Sequence, residues 1–171
     1  MVWTAPEVTR TVPQVSRRDG FRIAPEPEML RGLLDWHRAT LLLKCAGLTG
    51  EQLARTPVGP SNLSLLGLVR HMAKVERIWF RELFRGEPVE RLHSTPERPD
   101  VDFEDLDPAR AEADYAQLLA EQEAARQASA DASLDDTFVQ RDGEKTSLRL
   151  IFNHMIAEYA RHNGHADLIR Q

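Results

Sequence analysis

One cysteine, Cys45, stands alone in 171 residues, so no disulfide can form within the chain. That scarcity points to a reducing, cytoplasmic setting. No apolar run approaches the roughly 20 residues that span a membrane. The opening stretch, MVWTAPEVTRTVPQVSRRDGFRIAPEP, lacks the apolar centre of a signal peptide. Positive charge is also in short supply: 22 Lys and Arg face 27 Asp and Glu, for a net charge of −5. A chain of this balance has no basic stripe with which to grip nucleic acid. There is no Walker loop, no dinucleotide glycine fingerprint and no G-x-S-x-G elbow. Long β-branched runs and βαβ alternation are missing too, which argues against a sheet-based fold.

What is present is helical periodicity. Hydrophobic residues make up 42% and charged residues 29%, the balance of one ordinary globular domain. Residues 1–26 carry Pro6, Pro13 and Pro25 and no clear period, and read as an extended arm that wraps the domain or a partner. The remainder, 27–171, reads as four helices. The first runs from about Glu28 to Cys45, with Leu30, Leu33, Leu34, His37, Leu41 and Lys44 on one face. The segment 47–62 is a connection with a short helical turn, closed by Pro57, Gly59 and Pro60. The second helix starts near Ser61 or Asn62, both good N-caps, and stops at Gly86. A loop over 86–107 exceeds the usual length, which hints at a lid or a functional edge. The third helix begins at Pro108 with Asp107 as its cap. Its apolar stripe is thin (Ala113, Leu118, Ala120, Ala124), so it is expected to be the least buried. The segment 135–147 has room for a small hairpin. The fourth helix starts near Thr146 or Ser147 and continues to the end. The expected fold is therefore all-α, a four-helix bundle with long connecting loops and an irregular N-terminal arm.

The fourth helix carries His154, Glu158, His162 and His165. At 100° per residue these four fall within an arc of about 80°. Glu158 and His162, one turn apart, can aim at one point inside the bundle. His71 on the second helix shares its face with Ser64, Leu68, Val75 and Ile78, and so looks inward. His71, Glu158 and His162 make a set of two imidazoles and one carboxylate. Such a set leaves coordination positions open for water or substrate, as catalytic sites do. Zinc is the first choice for it, and nickel or iron also suit these donors. The plainer reading of the same residues is a core histidine and a surface ion pair.

LSLLGLVRHMAKVERIWF and IFNHMIAEYARHNGHADLIR together resemble the DinB-like superfamily of metal-binding four-helix bundles. The similarity is to an actinobacterial branch near mycothiol-dependent maleylpyruvate isomerase and the mycothiol and bacillithiol S-transferases. It covers about residues 27–171. Many members place a histidine on helix two and an H-x-x-x-H pair on helix four. Here Glu158 takes the middle position, a departure that is similar to the His, Glu, His pattern of the mycothiol-dependent isomerase.

The resemblance implies a divalent metal and a low-molecular-weight thiol such as mycothiol, acting on an electrophilic small molecule. The expected activity is thiol transfer or a thiol-assisted isomerisation. Two alternatives stay open: a metal-dependent hydrolase, and a non-catalytic, stress-related metal-binding or interaction module. Arg161 is a candidate for a carboxylate on cofactor or substrate. His165 or Asp167 would orient a ligand. Trp36, His37 and Arg38 are placed at the pocket mouth, and Trp79 and Phe80 in the packing. His93 receives no role, and Cys45 reads as a small buried hydrophobe. The arm and the third helix make a homodimer plausible.

Overall fold

The computed structural model describes residues 2–8, 23–95 and 97–171. The chain is mostly helical, with five α-helices and one two-stranded sheet among the described residues. The expected helix one is α1, Glu26–Cys45. It follows Pro25, opens with Glu26 and Glu28 and closes with Lys44, charges that suit the two ends of the helix dipole. A one-turn helix α2, Gly50–Leu53, sits in the following connection and is held by a reciprocal cap between Thr49 and Gln52. Gly50 is needed there, because a Cβ would meet the carbonyl oxygen of Pro108 at 2.2 Å.

Helix α3 spans Leu65–Glu76 and continues as a π-helical segment, Arg77–Phe84. Its cap is Ser64, whose hydroxyl accepts from Gly67 N at 3.0 Å. Ser61 and Asn62, expected as caps, lie three and two residues too early; Ser61 instead accepts from Leu63 N at 3.2 Å in a local turn. Gly86 at φ +65° ends the helical run. A 3-10 turn, Pro108–Arg110, leads into α4, Ala111–Ser129, and Asp107 caps that turn through Ala109 N. The hairpin foreseen over 135–147 pairs β1, Thr137–Val139, with β2, Lys145–Ser147, in the register Thr137↔Ser147. Ser147 then caps α5, Leu148–Ile169. No helix among the described residues is long and apolar enough to cross a membrane.

Helix α1 packs chiefly on α5, and α3 on α4. Leu34, Leu41, Leu68, Met72, Phe80, Leu118, Ile151 and Met155 fill the space between them with almost no solvent exposure. A buried polar chain crosses this core. Arg38 of α1 donates to both oxygens of Glu76, at 2.7 and 2.6 Å. Tyr159 of α5 donates to Glu76 Oε1 at 2.8 Å, and Gln122 of α4 donates to the Tyr159 hydroxyl at 3.0 Å. All four long helices are thereby tied at one level, with each polar group answered.

Helix α4 is not the least buried helix. Its inward face is Ala111, Asp114, Tyr115, Leu118, Glu121, Gln122, Ala125 and Ala128, whereas the expected Ala113 and Ala120 are exposed. Glu121 and Gln122 on that face are tolerated because they are partnered. Arg77 donates to Glu121 Oε1 at 2.6 Å and Arg81 to Glu121 Oε2 at 3.2 Å. Of the expected arm, residues 2–8 lie along the α1–α2 connection. Ala5 N donates to Leu48 O at 2.8 Å, Gly47 N donates to Ala5 O at 2.9 Å, and Trp3 packs edge-on against Tyr115. Residues 9–22 of the arm lie outside the described residues.

Candidate metal centre

Helix α3 supplies His71 and α5 supplies Glu158 and His162. The apolar faces of both helices are buried, so residues bordering those faces meet across the seam. One ligand atom from each of the three side chains lies within 4.8 Å of the other two. Glu158 Oε2 stands 4.0 Å from His71 Nε2 and 3.4 Å from His162 Nε2. The two imidazole rings are edge to face, 4.7 Å apart. A tetrahedral ion with bonds of about 2.1 Å holds its donors about 3.4 Å apart. The Glu158–His162 spacing already suits that geometry, and the His71–Glu158 spacing needs to close by about half an ångström. Nitrogen and carboxylate donors of this kind suit zinc and its neighbours in the first transition row.

The electrostatics favour neutral imidazole at His162. Burial pushes its pKa down to about 4, and the nearby His71 adds to the effect against the opposing pull of Glu158. Its Nδ1 lies 3.3 Å from Nδ1 of His165. One of these two nitrogens donates and the other accepts, so the two rings hold one another in place. Arg161 donates to Glu158 Oε1 at 3.0 Å, which leaves Oε2 to face the imidazoles.

The long loop supplies what sequence reasoning missed. Asp102 is 1% exposed, and its Oδ2 lies 3.1 Å from His71 Nδ1. Lys74 forms an ion pair with the same oxygen. Burial works against ionisation of Asp102, but the hydrogen bonds and charges of His71 and Lys74 outweigh it and lower its pKa. Phe103 lies 5.3 Å from the His71 ring. The loop comes this close because residue 67 is glycine: a Cβ there would meet Phe103 Cδ1 at 2.7 Å. Only the loop's unusual length pointed to it in the sequence, since a residue outside a helix has no periodicity to betray its direction.

Other candidates fall elsewhere. Arg38 is buried on Glu76 and so is core, not pocket mouth. His37 packs edge-on against Trp36, and Asn163 donates to its carbonyl at 3.0 Å. Asp167 pairs with Lys44 at 2.5 Å along the helix flank, away from the ligand set. His154 packs on Trp79 at 4.4 Å, and Phe80 is core. His93 sits in the loop at φ +60° with its Nε2 buried and unpartnered among the described residues. Cys45 is fully buried, and burial pushes its thiol up to about 12, which removes it as a nucleophile.

The model of the mycothiol-S-transferase family matches residues 29–171, nearly the whole chain. The chain belongs to the mycothiol-S-transferase family. No curated protein and no solved structure matches it. The family match takes in α1 from residue 29, all of α2 to α5 and the three candidate ligands, and it leaves residues 2–8 and 23–28 outside. Within this family member, His71, Glu158 and His162 are the described His, Cys, Asp and Glu side chains grouped closely enough to hold a metal ion.

Proposed function

We propose that this chain is a metal-dependent S-transferase that uses mycothiol, with His71, Glu158 and His162 as the metal ligands. The reading takes the helices of residues 27–171 as a four-helix bundle of DinB-like type, with residues 1–26 as an arm. The observation that carries it is the convergence of two imidazole Nε2 atoms on one carboxylate oxygen, in a chain of this family. Zinc is the first choice of ion, with nickel or iron as alternatives.

A divalent ion held there would supply the positive charge that makes a coordinated thiol ionise near neutral pH. The chain's own residues do the rest. His71 and His162 present neutral donors and Glu158 offsets part of the positive charge. Arg161, largely exposed at the rim, holds Glu158 in orientation and offers its remaining donors to a carboxylate on thiol or acceptor. His165 steadies the ring of His162 through its Nδ1 and is offered as a contact for the thiol. Phe103 gives the site one apolar wall. In the transfer the thiol S–H proton passes to solvent and the sulfur lone pair forms a bond to the electrophilic carbon. The bonding pair of the departing group leaves with that group. With Cys45 buried and protonated, the nucleophilic sulfur comes from the small thiol.

The test is conjugation of mycothiol to a panel of electrophiles by zinc-loaded protein. Thiol-dependent turnover, lost in His162→Ala, is expected. Turnover that proceeds without thiol would make the protein a hydrolase, and metal binding without any turnover would make it a binding module.

A further inference from the structure

Asp102 is delivered to the back of His71 by a loop that is fastened where it meets α3. The Arg70 guanidinium donates to the carbonyls of Val101, Glu104 and Asp105 at 3.1, 3.4 and 3.3 Å. Phe103 lies against His71 and over Gly67. Oδ2 of Asp102 meets both His71 Nδ1 and Lys74 Nζ, while Oδ1 is buried without a partner among the described residues. Leaving one carboxylate oxygen orphaned is unfavourable, so burial alone does not account for an aspartate here. Its one partnered oxygen is shared between Lys74 and the His71 nitrogen.

We infer that Asp102 is a positioning residue that holds His71 as its Nδ1–H tautomer, so that the Nε2 lone pair points at Glu158 and His162. The inference rests on the proposed ligand role of His71. A carboxylate paired with Lys74 has only acceptor capacity, so the shared proton belongs to Nδ1. The neutral ring then carries its lone pair on Nε2, 4.0 Å from Glu158 Oε2. A bare nitrogen and a carboxylate oxygen facing one another repel, and a cation between them reverses the sign. Ligand histidines are commonly set by such a partner, whose removal weakens metal binding by about 10–100-fold.

The test uses the full chain, ¹⁵N-labelled and stripped of metal, at pH 8. Long-range ¹H–¹⁵N spectra report which nitrogen of His71 is protonated, with His71→Gln giving the assignment. Wild type should show Nδ1–H and a bare Nε2. Asp102→Ala should shift His71 toward Nε2–H and weaken zinc binding by about 10–100-fold in a chelator competition, with thermal melts reporting the fold. An Nε2–H or doubly protonated His71 in wild type overturns the inference, and needs no variant to fold. Wild-type zinc affinity in folded Asp102→Ala overturns it equally. A wild type with the expected tautomer that binds no zinc leaves Asp102 as the anchor of His71 and removes the metal reading instead.

Discussion

Glu76 is fully buried, and Arg38 and Tyr159 between them answer both of its oxygens. Removing one partner of such a pair strands the other charge in the core. Glu76→Ala is expected to destabilise the protein by roughly 3–5 kcal/mol, read from urea denaturation. Replacing Arg38 and Glu76 together by Met and Leu should cost much less, because no charge is left unpaired. Cys45 makes a complementary prediction. Its thiol is pushed up to about 12 by burial, so thiolate is scarce at pH 8 in the folded state. Alkylation with iodoacetamide should be at least tenfold slower in native buffer than in urea. Rapid labelling of the folded chain would contradict the buried assignment.

At the scale of elements, the 86–107 loop and α3 meet at Gly67, where side-chain volume is forbidden. Gly67→Val should push Phe103 and Asp102 outward and destabilise by roughly 1–3 kcal/mol, as overpacking does. Zinc affinity should fall with it; an unchanged affinity would detach the loop from the site. The helices themselves were legible from spacing, because Leu34, Leu41, Leu68, Met72, Ile151 and Met155 recur at helical intervals and are buried. The face of α4 was not legible. Asp114, Glu121 and Gln122 point inward there, and Glu121 and Gln122 are acceptable only because Arg77, Arg81 and Tyr159 wait on other elements. A pattern of apolar residues cannot reveal a polar face whose partners come from elsewhere. Ser64 as the cap of α3 was obscured for a simpler reason: SNLS offers three cap-forming residues in four positions. The convergence of His71, Glu158 and His162 could be read from helix faces, whereas Asp102, carried by a loop, could not.

For the whole molecule, His37, His93 and His154 share one property: burial lowers each pKa in the folded chain. The unfolded chain then binds more protons than the folded one just below pH 6.5, the ordinary histidine value. Stability of the metal-free protein should therefore fall as pH drops through about 6.5 and level off once the folded-state values are passed. Urea midpoints at pH 8, 6.5 and 5 check this, and a midpoint that rises on acidification would contradict it. The same molecule places its candidate ligands on α3 and α5, both within the family match, while the residues that hold those ligands come from the loop and from α5.

The most direct test of the central claim is metal content by elemental mass spectrometry on untagged protein, wild type beside Glu158→Ala and His162→Ala. The account predicts close to one divalent ion per chain in wild type and at least a tenfold loss in both variants. A wild type that carries no metal and cannot be loaded with zinc, nickel or iron would contradict it. Variants that keep a full complement would place the ion elsewhere.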